Sequence, residues 1–281
     1  MEQQLELIRE QQRASWNKFS PGWKKWDKLF MDFLKPMGGE IIQELNPETD
    51  DVVLDIACGT GEPGLTIASL VRDGKVILTD LAEDMLEIAK ENALLKGLNN
   101  IETIACDVSD IPFVANSFDA ISCRFGFMFF PDMLQAAKEM HRVLKPGGRI
   151  ATAVWNVPEK NFWITAMTDT INKHIQLQVP PPGSPGMFRC GKEGLMEDVL
   201  RQAGFKNISV TEVSSKLNCG TADVYWDAMN EVAAPVVAAL ANADEQQKEK
   251  IKMEVYLAIN KRYPLQQIKV DASALVIYGE K

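Results

Sequence analysis

The stretch Asp55-Ile56-Ala57-Cys58-Gly59-Thr60-Gly61-Glu62-Pro63-Gly64 carries the strongest chemical signal in the sequence. It sets G-x-G-x-x-G between an apolar run and a helix-like segment. Glycines there allow a tight turn and let a ligand lie against bare backbone. The same spacing serves dinucleotide phosphates, so alone it is ambiguous. Neighbouring carboxylates narrow the choice. Asp55 would repel a diphosphate and attract a ligand carrying an amino group, directly or through water. Asp80 closes the next apolar run, where an acidic residue takes ribose hydroxyls. Asp107 follows a third run and could accept from an exocyclic amine such as adenine N6. Each alone could be an ordinary turn former. Three at successive strand ends, at the crevice where open α/β sheets bind ligands, are harder to explain that way.

The surrounding elements must place these groups side by side. Strands are expected at 51–56, 75–80, 101–105, 118–123 and 149–155, with helices at 64–72, 84–96 and 133–144 between them. Strands alternating with helices imply right-handed βαβ units and a parallel sheet. Beyond Trp155 the rhythm changes. Residues 161–178, 192–203 and most of 222–262 read as helical, with a polar break near 242–245. Residues 179–185 read as an irregular Pro/Gly-rich loop, and 208–213 and 272–278 as two late strands. The expected fold is therefore a doubly wound, Rossmann-like α/β architecture. Its mostly parallel seven-stranded sheet would carry helices on both faces. We divide the chain into an N-terminal helical lid (1–48), a core (49–156) and a mainly helical cap with late strands returning to the sheet (157–281).

Bulk properties bound the function. With 281 residues, 46% of them hydrophobic, the chain can bury a sizeable core. A formal net charge of −9 opposes binding to phosphate backbones, so nucleic acid is not an expected partner. No stretch of about 18 apolar residues exists, so no membrane span is expected. Residues 1–13 lack the apolar centre of a signal peptide. The five cysteines form no C-x-x-C pair, and with only two histidines no metal site is expected. Reduced thiols fit a cytoplasmic location.

Four segments together resemble the class I methyltransferases that use S-adenosylmethionine (SAM). Leu54–Gly64 is similar to the family's first motif, Thr79–Leu86 to its second-strand segment, and Cys106–Phe113 with Phe118-Asp119 to its third and fourth. His141–Gly148 resembles its late turn. Within the class, the similarity is to the small-molecule branch that includes ubiquinone and menaquinone C-methyltransferases (methyltransferase type 11). The resemblance implies a set of cofactor contacts. Gly59 and Gly61 would pass under the methionine part, with Ala57, Cys58 and Thr60 in the same turn. Asp55 would attract the methionine ammonium. Asp80 would hold the ribose hydroxyls, and Leu81 would pack on adenine. Asp107 would read N6 and the Val108 N–H would meet N1. Arg124 and Phe125 would lie near the methionine carboxylate and the transferable methyl. The product would be S-adenosylhomocysteine (SAH). In the flanks, Ser15–Asp27 resembles the branch's aromatic lid.

The expected reaction moves a methyl to a small, apolar or aromatic acceptor by in-line displacement, with the acceptor held about 3 Å from the methyl. Trp16, Trp23, Phe129, Trp155 and Trp163 are the candidate acceptor-side residues, alongside Phe125 and Phe127. They could equally be core packing. His174, the single histidine of the cap, is the candidate base for an oxygen or carbon acceptor, and a surface helix position is its simpler explanation. Two alternatives stand beside this reading: a nicotinamide-dependent Rossmann oxidoreductase, and a non-catalytic SAM-binding relative. Neither the acceptor nor the oligomeric state is readable from the sequence.

Overall fold

The computed structural model describes residues 2–175, 183–241, 243–264 and 267–281. The expected loop at 179–185, the end of the helix expected to reach 178, and Asn242 of the polar break lie wholly or partly outside these residues.

The chain opens with two helices, α1 (Glu2–Lys25) and α2 (Asp27–Leu45). Alternation then begins: β1 (Val52–Ile56), α3 (Gly64–Leu70), β2 (Lys75–Asp80), α4 (Glu83–Leu95), β3 (Ile101–Ala105), β4 (Phe118–Arg124), α5 (Met133–Val143) and β5 (Leu144–Trp155). The later part holds α6 (Phe162–Asn172), α7 (Leu195–Ala203), β6 (Lys206–Gly220), α8 (Ala222–Val232), α9 (Ala234–Leu240), α10 (Glu245–Arg262) and β7 (Ile268–Glu280).

The seven strands form one sheet in the order β3-β2-β1-β4-β5-β7-β6. The pairs from β3 to β5 are parallel, and β7 runs antiparallel to both β5 and β6. A parallel strand is covered on both faces, which is why β1 and β2 are near-continuous apolar runs rather than alternating ones. The strand order reverses between β1 and β4, and the crevice at their carboxyl ends is the natural ligand site.

Helix α2 buries Phe30, Phe33, Leu34, Met37, Ile41 and Leu45 along a single stripe at helical spacing. That stripe packs across β4 to β7. Helix α5 starts where the Asp132 carboxylate accepts from the Gln135 N–H at 2.9 Å, and α10 starts on a capping box formed by Asp244 and Gln247.

Some boundaries differ from expectation. Strand β5 begins at Leu144 rather than Arg149. Leu144 pairs with Phe118, and the register then shifts before Arg149, with Gly147 at φ +78° in the irregular stretch. Thus Lys145–Gly148 is an irregularity within the strand rather than a turn before it. The helical stretch 222–262 is also broken at Ala233, because Pro235 belongs to the first turn of α9 and cannot extend α8. Strands β6 and β7, at 15 and 13 residues, are about twice as long as expected.

Candidate active site

The first βα turn is built by a network beneath it. Asp55 is fully buried on β1, where its carboxylate accepts from Ser122 Oγ at 2.6 Å and from the Gly64 N–H at 3.1 Å. A methyl placed on Gly64 would lie 2.3 Å from Leu78 Cδ2 and 2.7 Å from Asp55 Oδ2, so only glycine lets the turn close this tightly. Burial pushes the Asp55 carboxyl up to about 7, against the opposing effect of the Ser122 hydrogen bond. Asp55 is therefore an anchor behind the turn. It does not reach the cavity wall, so of the two routes expected for its attraction on a ligand's ammonium, direct or through water, the direct one is closed.

Asp80, at the end of β2, faces the turn from the other side. It accepts from the Gly59 N–H and the Ala82 N–H, both at 2.9 Å. Burial raises its pKa, while those N–H groups pull it back. Gly59, at φ +55°, has open space where a side chain would begin. Gly61, at φ +113°, is packed on Leu65 instead and does not reach the cavity.

These elements open onto a cavity of about 350 Å³. One wall holds Ala57, Cys58, Gly59, Thr60, Asp80, Leu81, Asp107, Val108, Arg124 and Phe125, the residues expected from the sequence to line a site. Its other part is aromatic, and Trp16, Trp23, Phe129, Trp155 and Trp163 all line it. Phe125 stacks on Trp155 with ring centres 4.1 Å apart, and Trp155 lies 4.9 Å from Trp163. Trp16 meets Phe129 edge-on at 5.2 Å. Ala57 (φ +53°) and Phe125 (φ +64°) hold left-handed backbone, which is costly for a residue as bulky as Phe and clusters at working sites. Phe127, offered as wall, is fully buried in the core instead.

His174 does not join the cavity. Its Nε2 lies 3.0 Å from Glu254 Oε1 on α10, outside the residues that line the cavity, so it is not placed as a base at the site. Cys58 and Cys106 do line the cavity, but burial pushes Cys58 far above the usual thiol range and Cys106 up to about 11. Both stay protonated and make poor nucleophiles.

One feature escaped the sequence reading. Asp27, the first residue of α2, accepts from Thr60 Oγ1 at 2.8 Å and ties α2 to the turn. Burial raises its pKa. Arg124 makes no ion pair among the described residues. Its NH2 meets Met31 Sδ at 3.2 Å, and burial lowers its pKa. A guanidinium on the cavity wall without a carboxylate partner is a ready receptor for an anionic group.

With this geometry in view, comparison with known proteins is informative. Residues 53–148 match the methyltransferase domain family. Demethylmenaquinone methyltransferase of Geobacillus stearothermophilus is 36% identical over 110 residues, covering 39% of this chain and 47% of that protein. The match thus spans about half the length of that relative. Among solved structures, a SAM-dependent methyltransferase of Thermotoga maritima, described as a possible histamine N-methyltransferase, superposes with a TM-score of 0.55 at 16% identity. It covers 95% of this chain and 99% of its own. The [4+2]-cyclase SpnF superposes with a TM-score of 0.51 at 18% identity, over 86% of this chain and 79% of its own. These likenesses show a Rossmann-like fold, one that serves more than one reaction. Among the described residues, no helix is long and apolar enough to cross a membrane.

Proposed function

We propose that the chain is a SAM-dependent methyltransferase that acts on a small, apolar or aromatic acceptor by in-line displacement. One observation carries this reading: two strand-end carboxylates, a bare glycine turn and an unpaired guanidinium share a single cavity with an aromatic chamber. The donor set fits the group. Gly59 leaves room for backbone contact, Asp80 offers acceptors for ribose hydroxyls, and Asp107 with the Val108 N–H offers an acceptor and donor for the adenine edge. Arg124 suits the methionine carboxylate. When bound, SAM supplies a methyl on a sulfonium whose leaving group is neutral and needs no acid.

The protein's own contribution is placement and exclusion of water. Phe125 stacks on Trp155, which meets Trp163 at a 45° tilt to form an aromatic wall, and Trp16 with Trp23 covers it from the lid. An apolar chamber does not oppose a step in which charge leaves sulfur. The chamber offers no imidazole, amine or phenol among the described lining residues. An oxygen or carbon acceptor would therefore arrive ionised, or carry an electron-rich ring of its own. An apolar ring acceptor also accords with the relative named demethylmenaquinone methyltransferase. In this reading residues 1–48 are a lid, 49–156 the cofactor core and 157–281 the cap that selects the acceptor. Net acidity disfavours nucleic acid as partner, and five free thiols suit the cytoplasm. The strand order, with β7 antiparallel, departs from the all-parallel order of dinucleotide-binding Rossmann folds and weighs against a nicotinamide oxidoreductase.

Calorimetry tests the reading. SAM or SAH should bind at micromolar concentration, and Asp80→Ala should weaken binding at least tenfold, about 1.4 kcal/mol. No binding by the wild type refutes it. Incubation with labelled SAM and a metabolite extract, read by mass spectrometry, then identifies the acceptor. Binding without transfer to any acceptor leaves the non-catalytic alternative.

A further inference from the structure

Helix α1 presents one face to the cavity, and that face changes character along its length. Arg9, Gln12, Ser15, Trp16 and Trp23 all line the site. The polar end lies by Asp107 and the aromatic end by Phe129 and Phe30. With a rise of about 1.5 Å per residue, the ends of this stripe stand roughly 20 Å apart.

The polar end is seated by charge. Arg9 Nε lies 2.5 Å from Asp107 Oδ2, and Arg9 NH1 donates to Glu6 Oε2 at 2.8 Å. Further along, Arg13 pairs with Glu83, the Asp84 N–H donates to Asn17 Oδ1 at 3.1 Å, and Lys24 lies 2.5 Å from Glu91. Arg9 is the member of this row whose partner belongs to the site. The Arg9 Nε is buried and has no aligned hydrogen-bond acceptor, so its contact with Asp107 is electrostatic rather than a well-directed hydrogen bond. On the carboxylate, Oδ1 already accepts from the Ser109 N–H at 2.8 Å. A carboxylate has about four lone-pair sites, so Asp107 can hold Arg9 and still accept from an amine.

Resting on the methyltransferase reading, we propose that Arg9 is a cofactor-positioning residue which places a donor beside the Asp107 acceptor at the adenosine end of the site. The guanidinium carries five N–H donors, more than its contacts with Asp107 and Glu6 occupy, so Arg9 can hold Asp107 and still offer a donor to a ligand. The adenine ring carries ring-nitrogen acceptors next to its exocyclic amine, which matches a donor–acceptor pair. Because Arg9, Trp16 and Trp23 share one helix, seating Arg9 over the adenosine also sets the aromatic end over the acceptor chamber. Cofactor binding would then complete the acceptor wall, and binding would be ordered.

The test compares wild type, Arg9→Met, Arg9→Lys, Asp107→Asn and the double variant Arg9→Met/Asp107→Asn by calorimetry. The ligands are SAH and 5′-methylthioadenosine, which keeps the adenosine and lacks the amino acid. Melting temperature serves as the folding control. Arg9→Met should weaken both ligands by a similar factor, at least fivefold, with Arg9→Lys recovering part of the loss. The double variant should lose less than the product of the single losses, which a merely structural lysine-like role on the surface would not produce. The apparent KM for the acceptor, once identified, should also rise in Arg9→Met while saturating SAM restores it. Unchanged binding in Arg9→Met, or a loss confined to SAH, overturns the proposal while leaving the methyltransferase reading intact. A wild type that binds neither ligand ends both.

Discussion

The Asp55 carboxyl makes a quantitative prediction. Its pKa is about 7 in the folded chain because burial disfavours the charged form. In the unfolded chain it returns to about 3.9. Between those values the folded state binds more protons than the unfolded one, so stability falls as pH rises. This group's contribution is fully present below about pH 4 and is lost as pH rises to about 7. The total corresponds to about 4 kcal/mol, of which roughly 2.5 kcal/mol falls between pH 5 and pH 8. Asp55→Asn removes the titration. It also leaves one carbonyl oxygen where two oxygens accept from Ser122 and Gly64, a pH-independent cost of about 1–2 kcal/mol. Urea unfolding of both proteins from pH 5 to pH 8, followed by tryptophan fluorescence, gives the difference directly. The wild-type advantage should be largest at pH 5 and should shrink by roughly 2.5 kcal/mol by pH 8. Other titrating groups cancel in the difference. A difference that stays constant within about 0.5 kcal/mol across that range refutes the argument that burial governs this carboxyl.

Three further outcomes follow from contacts already described. Gly64→Ala forces a methyl against Leu78 and Asp55, and such overpacking costs about 1–3 kcal/mol, so calorimetry should show the melting temperature fall by roughly 5 °C. His174→Ala removes only the pair with Glu254, so SAH affinity and turnover should stay within about twofold of wild type, and a hundredfold loss of turnover would restore histidine to the chemistry. Gly22→Ala would put a methyl 2.3 Å from the Glu231 carbonyl oxygen, beside the contacts of Lys25 and Trp26 with that same residue. That should loosen the lid against α8, raising acceptor KM several-fold in steady-state kinetics with little change in melting temperature.

What the sequence disclosed depended on how local the determinant was. The first five strands, the turn at Gly59 and the acids at Asp80 and Asp107 come from short-range pattern, because a parallel strand, its turn and the next helix are consecutive in the chain. Face was harder. Asp55 lies at the end of an apolar run whose two sides are both covered, so alternation could not say whether it looks into the cavity or beneath the turn. Contacts between distant residues were invisible. Asp27 meets Thr60 across 33 residues, and Arg9 meets Asp107 across nearly a hundred. Strand β6 was under-read because most of its length is Ser, Thr, Asn, Lys and Glu on a half-exposed sheet edge, where β-propensity is a weak guide. The aromatic residues of α1 were legible as a stripe, but whether they cover a cavity or fill a core depends on what lies opposite.

The position of β7 constrains how this molecule can be made. It lies between β5 and β6, and both of its long ladders are antiparallel. On a ribosome, β6 emerges first and has no strand to join, while the flank of β5 waits open with its amide and carbonyl row unpaired. Nothing translated earlier can close that gap. The nascent chain must therefore carry an exposed sheet margin until β7 arrives and zips both neighbours at once. This is the interval in which a chaperone has most to shield, and in which a slow codon or a nearby stop would do the greatest harm.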